Sequence, residues 1–312
     1  MDARPIIVIT GPTASGKSHL ALPLARKYGG EIVSVDSMQV YRKLDIGTAK
    51  PTRSERQEVP HHLVDIIDPK EHFSVARFQR LAYAAIEDIL ARGRLPFMVG
   101  GTMLYIKAMI EGYAFSDVRP DPTLRRFLRA RAQQMGSEGL HEYLANRDPA
   151  AAERIHGRDL RRIVRALEVY YAKEQSVTVD DTNQRPELSM LVMALHWPRT
   201  ELYARIEQRV DQMVEDGLVE EVKGLYAQGY ADDLRRIRAL GYREIGFYLQ
   251  GQCSLSEAVR LLKRNTRRYA KRQLTWLRRF EGIKLLEAGQ NRATEEILVD
   301  ASKLVQEACL EA

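Results

Sequence analysis

The sequence predicts an α/β fold in which a parallel sheet is interrupted by an inserted, all-helical domain. Three observations predict it. Short apolar runs, typical of buried strands, alternate with longer segments of helical periodicity. A glycine-rich turn directly follows the first of these runs. Between 117 and 186 the strand signals almost vanish, and the pattern becomes helical and rich in arginine.

The predicted strands are rich in β-branched residues, and turn-forming residues bound them, as is typical of buried parallel strands. They span 6–10, 31–35, 96–99 and 190–195, with a weaker candidate at 282–286. Helical periodicity predicts helices at 18–28, 75–92 and 102–110. Pro120 and Pro122 mark the entrance to the helical segment, and a polar run at 180–186 marks its exit. We therefore expect a core formed by 1–116 and 187–312, with a helical insertion at 117–186.

The most specific motif lies between the first predicted strand and the first predicted helix. It fits G-x-x-x-x-G-K-[ST], the P-loop pattern, with Gly11, Pro12, Thr13, Ala14, Ser15, Gly16, Lys17 and Ser18. The backbone N–H groups of such a loop, and the positive end of the helix dipole, face an anion. Lys17 adds a charge for a terminal phosphate, and the Ser18 hydroxyl can bind Mg²⁺. The motif predicts a P-loop NTPase-like core that binds a di- or triphosphate.

Two further polar residues follow strands of the predicted sheet. Asp36 follows the second strand, and Thr102 follows a Gly-Gly pair after the next one. Since ligands bind at the carboxyl ends of parallel strands, both residues should face the same crevice as Lys17. The Asp36 carboxylate could bind Mg²⁺, cap the next helix or accept a proton from a nucleophile. Thr102 is equally compatible with an ordinary helix cap.

Positive charge is concentrated toward the C-terminal end of the chain. Between residues 235 and 280 there are 13 Lys and Arg against two acidic residues, although the whole chain carries a net charge of only +6. Five of these residues recur at helical spacing: Arg260, Arg264, Arg267, Lys271 and Arg278. A basic stripe on an anchored helix predicts a nucleic-acid contact. A solvated arginine-rich helix is the alternative.

Other function classes are disfavoured by composition. The two cysteines, Cys253 and Cys309, are too few for a disulfide framework or a zinc site. No apolar run approaches the roughly 20 residues that span a bilayer, and the start of the sequence lacks the pattern of a secretory leader. We therefore expect a cytoplasmic protein with no membrane partner. A small-molecule kinase and a nucleic-acid-dependent NTPase both remain compatible with the P-loop.

Longer motifs distinguish these classes. SVDSMQVY at 34–41, DIGTAKP at 45–51, GGTMLY at 100–105, RALEV at 165–169, GYRE at 241–244 and KRQLTWLR at 271–278 follow the P-loop in that order. In these motifs the sequence closely resembles the tRNA dimethylallyltransferases, also called tRNA isopentenyltransferases. The resemblance runs from residue 6 to about residue 280.

The resemblance implies transfer of a dimethylallyl group from dimethylallyl diphosphate to N6 of the adenosine 3′-adjacent to the anticodon, in tRNAs that read codons beginning with U. The P-loop would hold the diphosphate leaving group, with Mg²⁺ as cofactor. Asp36 would be the base, and Thr102 would lie beside the target adenine. Lys17 and an arginine would bind the diphosphate, and of Arg205 and Arg209 we prefer Arg209.

The resemblance also implies which residues contact the anticodon stem-loop of tRNA. They are Asp36, Ser37, Met38, Gln39, Thr102, Arg161, Arg162, Ile163, Val164, Arg238, Ala239, Leu240, Gly241, Tyr242 and Arg243. The chain is expected to act as a monomer. Two alternatives stay open: a prenyltransferase that acts on free adenine nucleotides, which would have no use for the basic arm, and a P-loop small-molecule kinase.

Overall fold

The computed structural model describes residues 4–113, 115, 118, 121–175 and 188–311. The chain divides into two compact units. Met1–Gly112 and Pro186–Ala312 form one, here called the sheet unit, and Tyr113–Arg185 forms the other, here called the helical unit. The boundaries predicted for the insertion, at 116/117 and 186/187, lie outside the described residues.

The sheet unit is built on a parallel sheet. Its strands are β1 (Ile6–Thr10), β2 (Glu31–Val35), β3 (His61–His62), β4 (Pro96–Gly100), β5 (Met190–His196) and β6 (Lys284–Glu287). They lie in the order β3-β2-β4-β1-β5-β6, and every pairing is parallel. The predicted parallel α/β fold is confirmed, and each of the five predicted strands ends within two residues of its predicted bounds.

The edge strand β3 is not predicted by the sequence, because its two histidines form no apolar run. Its position is fixed by polar contacts. His62 Nε2 lies 2.7 Å from Oε2 of the buried Glu31 at the start of β2. The Arg92 guanidinium binds the same carboxylate and holds its pKa below the usual range. The histidine pair therefore has a structural role at the sheet edge.

Helices connect the strands of the sheet unit. The helices before the insertion are α1 (Lys17–Lys27), α2 (Arg53–Glu58), α3 (Val75–Ala91) and α4 (Met103–Ile110). The helical unit contains α5 (Pro122–Ala145), α6 (Pro149–Arg154) and α7 (Leu160–Gln175). The helices after it are α8 (Arg199–Glu215), α9 (Leu218–Ala227), α10 (Ala231–Ile237), α11 (Tyr242–Leu249), α12 (Leu255–Leu277) and α13 (Thr294–Glu311). The predicted bounds of α1, α3 and α4 are correct to within one residue.

Alternation along β1 distributes the core over both faces of the sheet, because successive strand side chains point to opposite faces. Ile7 and Ile9 pack in the cluster that includes residues of α1 and α13. Ile6 and Val8 pack in the cluster of α3 and α4. A third cluster joins α9, α11 and α12 to the turn that carries Val40 and Leu44.

The described secondary structure of the helical unit is entirely helical, as predicted. It consists of α5 (Pro122–Ala145), α6 (Pro149–Arg154) and α7 (Leu160–Gln175). Gly136, with φ at +79°, interrupts α5 in the left-handed region that favours glycine. The buried carboxylate of Glu168 binds the Arg125 guanidinium, with Oε1 and Nε 2.7 Å apart. The core of this unit contains Leu128, Leu140, Leu144, Ile163 and Leu167.

Candidate active site

The phosphate-binding loop has the backbone that its motif predicts. It links β1 to α1, and Gly16 occupies the helix N-cap with φ at +92°, where a β-carbon would be strained. Gly11 is equally constrained, since a Cβ there would lie 2.9 Å from Ser15 Oγ and 3.1 Å from the Leu195 carbonyl oxygen. The loop thus brings N–H groups and the start of α1 to the carboxyl edge of the sheet, an arrangement suited to an anion.

The Lys17 ammonium is turned back against this loop. Its Nζ donates to the carbonyl oxygens of Gly11 at 3.1 Å and Pro12 at 2.7 Å. Burial, and after it the Arg209 charge, lower the pKa of Lys17 to about 7, against the opposing effect of the Asp36 carboxylate. A partly buried cation next to a second cation favours binding of an anion.

Asp36 follows β2 and uses one carboxylate oxygen to hold a turn. Oδ1 accepts from the Met38 N–H at 2.7 Å and from the Gln39 N–H at 3.3 Å. Residues 37–40 form turns, so the carboxylate caps a turn and not a helix. No hydrogen bond to Oδ2 is found among the described residues, and Asp36 lines the cavity described below. This oxygen remains available for a proton or a cation.

Thr102 ties the loop after β4 to the loop after β2. Its Oγ1 accepts from the Ser37 N–H at 3.0 Å, and it makes no side-chain cap to α4 although it occupies the N-cap position. Tyr269 of α12 reaches the same hydroxyl. Burial and the Asp36 charge raise the pKa of Tyr269 to about 12, against the effect of its hydrogen bond with Thr102. Thr102, Ser37, Asp36 and Tyr269 therefore lie together.

The two candidate arginines of α8 differ in what they contact. Arg205 Nε donates to the Ala14 carbonyl at 2.9 Å, and its guanidinium lies 4.2 Å from the centre of the Trp197 ring. Trp197 Nε1 in turn donates to the Ser15 carbonyl at 2.9 Å. Arg209 instead lines the cavity, and burial lowers the pKa of its guanidinium against the effect of Asp36. Arg205 supports the phosphate loop, whereas Arg209 faces the cavity.

A cavity of about 720 Å³ lies beside these groups. Asp36, Arg209 and Tyr269 line it, whereas Lys17 and Thr102 are not among its lining residues. Its polar end includes Thr13, Asp36, Ser37 and Arg209. Its wall includes the apolar side chains of Ile206, Val210, Met213, Leu240, Phe247 and Leu261, and five further arginines also line it: Arg238, Arg243, Arg264, Arg268 and Arg272. A pocket with an apolar wall and a few convergent charges is typical of a small-molecule site. The arginines add a surface suited to phosphates.

The remaining predicted site residues divide between the cavity lining and other positions. The Gln39 side chain donates to the carbonyls of Thr48 at 3.3 Å and Ala49 at 3.1 Å. Tyr242 is fully buried and donates to Glu221. In the helical unit, Ile163 and Val164 are core residues, whereas Arg161 and Arg162 are exposed. Met38, Ala239 and Gly241 line the cavity.

The loop that carries DIGTAKP is held by a carboxylate from α9. Glu221 Oε2 accepts from the N–H groups of Asp45 at 3.2 Å and Ile46 at 2.8 Å. A Cβ at Gly47 would lie 2.5 Å from the Tyr242 ring, so only glycine fits this approach. Gly47 and Thr48 line the cavity. This motif therefore builds one wall of the site.

Sequence reasoning missed the cavity-facing side of α12. Arg264, Arg268 and Arg272 recur every four residues and line the cavity, but only Arg264 belongs to the predicted stripe. Arg267 of that stripe pairs with Glu207 of α8. The i, i+4, i+8 spacing of the three arginines is the signal that could have found them.

The fold and this site define an α/β protein of the P-loop class, with one cavity shared by an anion-binding loop, a carboxylate and a set of arginines. A family model described as "IPP transferase" matches residues 39–280. The chain belongs to this family. No helix among the described residues is long and apolar enough to cross a membrane.

Relatives and solved structures agree with this assignment. A tRNA dimethylallyltransferase of Desulforudis audaxviator is 51% identical over 285 residues, which cover 91% of this chain and 92% of the relative. A full-length tRNA isopentenylpyrophosphate transferase from Bacillus halodurans has a TM-score of 0.73 and 42% identity, covering 99% of this chain and 97% of its own. A eukaryotic dimethylallyltransferase acting on tRNA has a TM-score of 0.77 and 29% identity. The match covers 98% of this chain and 80% of the eukaryotic chain.

Proposed function

We propose that this chain transfers a dimethylallyl group from dimethylallyl diphosphate to N6 of the adenosine 3′-adjacent to the anticodon, in tRNAs that read codons beginning with U. One observation carries the proposal. In a member of the IPP transferase family, a single cavity joins the phosphate loop, the Asp36 carboxylate and a row of arginines. Donor, base and polyanionic acceptor can therefore meet in one place.

The donor diphosphate binds at the loop and the apolar wall takes its hydrocarbon. The N–H groups of residues 16–18, at the start of α1, and the side chains of Lys17 and Arg209 surround the phosphates. The Thr13 and Ser15 N–H groups have partners within the protein, Gln273 Oε1 and the Pro12 carbonyl. As the allylic C–O bond breaks, negative charge builds up on the leaving diphosphate, and preorganised cations stabilise it most at that point. Ile206, Val210 and Leu261 exclude water from the allylic group.

Asp36 accepts the proton that the acceptor loses. N6 of the adenine attacks the allylic carbon, the C–O bond to the diphosphate breaks, and the N6 proton passes to Asp36 Oδ2. The adenine must leave its stack to reach the cavity. Thr102 and Ser37, hydrogen-bonded to each other beside Asp36, orient the purine. The exocyclic amine is a weak nucleophile, so alignment supplies much of the rate.

The residues present fit Mg²⁺ as an ion carried by the diphosphate. No group of three or more His, Cys, Asp or Glu that could hold a metal occurs in the described ranges. Mg²⁺ commonly binds one or two protein oxygens together with substrate phosphates. Ser18, exposed at the start of α1, supplies such an oxygen. The ion would neutralise charge on the departing diphosphate.

The arginines provide the tRNA contact, with the protein acting as a monomer. Arg264, Arg268 and Arg272 are exposed as well as cavity-lining, so phosphates can reach them from outside. Arg161 and Arg162 of the helical unit would contribute to the same stem-loop, although Arg162 also pairs with Asp159. Such binding through phosphates depends strongly on salt.

Transfer of labelled dimethylallyl diphosphate tests the proposal. Parallel reactions contain unmodified tRNA with the anticodon context, the same tRNA with G for the target A, or AMP and ATP. We expect label only in the first tRNA, with Mg²⁺ present. Label in free nucleotide would contradict the acceptor assignment, and ATP consumption without transfer would contradict the reaction.

A further inference from the structure

One buried side chain of α12 joins the two loops that the proposed reaction must hold in register. Gln273 is 3% exposed. Its Oε1 accepts from the Thr13 N–H at 2.9 Å, in the phosphate loop. Its Nε2 donates to the Gly101 carbonyl at 2.7 Å, in the loop before Thr102. These loops follow β1 and β4, neighbouring strands of the sheet.

The fit around Gln273 is close on both sides. A Cβ at Gly101 would lie 2.5 Å from Gln273 Nε2 and 3.6 Å from Lys17 Nζ, so the amide sits next to the lysine of the phosphate loop. One helical turn earlier, Tyr269 contacts Thr102. The helix α12, which presents Arg268 and Arg272 to the cavity, therefore also contacts both loops through Tyr269 and Gln273.

The side-chain amide satisfies both partners, because it carries an acceptor and a donor on separate atoms. The partly buried Thr13 N–H requires an acceptor, and the buried Gly101 carbonyl requires a donor. A carboxylate offers two acceptors and would oppose the Gly101 oxygen. An apolar side chain of similar length would leave both backbone groups without this partner.

We infer that Gln273 is a positioning residue, which sets the distance between the donor loop at Thr13 and the acceptor loop at Thr102. The inference rests on the proposed function, since those loops are assigned to donor and acceptor there. Loss of the bridge leaves each loop folded on its own strand but free to shift relative to the other. Misplacement by about 1 Å can slow a reaction about 100-fold.

The test compares Gln273→Met with Gln79→Met. Gln79 is also buried and also donates to a backbone carbonyl, that of Ala108 at 2.8 Å, but Ala108 lies within α4, outside both loops. Gln273→Glu keeps the size and the acceptor and loses the donor. Single-turnover transfer, the affinities for tRNA and inorganic diphosphate, and the denaturation midpoint are measured for each variant.

We expect Gln273→Met to slow single-turnover transfer by about 10- to 100-fold, with tRNA affinity within about threefold of the unsubstituted protein. Gln273→Glu should be slowed as well, and Gln79→Met should lose stability without this loss of rate. Equal rates for the two Met variants at matched folded fractions would overturn the inference.

The experiment distinguishes failure of the inference about Gln273 from failure of the proposed function. If the unsubstituted protein transfers no dimethylallyl group, the proposed function fails. Inorganic diphosphate affinity then decides whether Gln273 positions the phosphate loop: weakening by Gln273→Met but not by Gln79→Met supports that part, and no difference between them overturns it.

Discussion

The Arg209 guanidinium on α8 lowers the pKa of Lys17 in the phosphate loop, so two cations from distant parts of the chain lie within reach of each other's charge. The Asp36 carboxylate acts in the opposite direction and raises the pKa of both Lys17 and Arg209. One carboxylate does not balance two partly buried cations, and an anion with more than one charge would. The relationship explains why a diphosphate suits this end of the cavity.

The lowered pKa of Lys17 leads to a prediction about how the stability of the protein depends on pH. Because its pKa is about 7 in the folded protein and 10.5 in an exposed lysine, the unfolded chain binds more protons between these values. Stability of the unliganded protein should therefore rise with pH across that window. Lys17→Met should be more stable than the unsubstituted protein at pH 6, and this advantage should shrink toward pH 10.

Urea denaturation at pH 6, 8 and 10 provides the measurement, with the exposed Lys223→Met as control. The control should shift the midpoint little at any pH. A constant difference between Lys17→Met and the unsubstituted protein across the series would mean that Lys17 does not lose its charge in this window.

The two arginines of α8 should have separable effects. Arg209→Gln removes a cavity-facing cation and should slow transfer by about 100-fold, the scale of losing one group that stabilises transition-state charge. Arg205→Gln removes a support of the Ala14 carbonyl and should lower the denaturation midpoint more than Arg209→Gln does. Single-turnover rates and urea midpoints distinguish them. If Arg205→Gln slowed transfer more and Arg209→Gln lowered the midpoint more, Arg205 and not Arg209 would be the diphosphate ligand.

The cavity-facing arginines of α12 should govern the salt dependence of tRNA binding. Arg268→Gln and Arg272→Gln should each weaken binding and reduce the slope of log K against log salt by about 1, as for the loss of one phosphate contact. Arg267→Gln should change the slope less, because Arg267 pairs with Glu207. Filter binding from 50 to 300 mM salt measures this, and equal slopes for all three variants would argue against an ordered contact.

Much of the fold could be predicted because its signals are local. A β-branched run such as 6–10 is buried on both faces, and the P-loop glycines are required by backbone geometry alone. Asp36, Thr102 and Lys17 follow predicted strands, and the structure brings them to one edge of the sheet. Strand β3 is too short to give a periodic signal, so the polar contacts of His62 are needed to find it.

The rest of the site depends on packing that a single sequence does not show. Helical periodicity places Arg264 and Arg267 on one face of α12, but only the docking of α8 decides that Arg267 meets Glu207. The same docking turns Arg268 and Arg272 toward the cavity. Gln273 gives no signal in composition or spacing, because its two partners come together only when the sheet forms.

Asp36→Asn tests the central claim most directly. The substitution keeps the size of the side chain and an oxygen for the Met38 and Gln39 N–H groups, and it removes the base. Asp148→Asn is the matched control, since Asp148 caps α6 through the Ala151 N–H at 2.9 Å in the helical unit. The measurement is single-turnover transfer of labelled dimethylallyl to tRNA at saturating protein, with tRNA affinity measured in parallel. We predict a loss of about 10²- to 10⁴-fold for Asp36→Asn, unchanged tRNA affinity, and a near-normal rate for Asp148→Asn. A near-normal rate for Asp36→Asn would contradict its role as the base and with it the proposed reaction path.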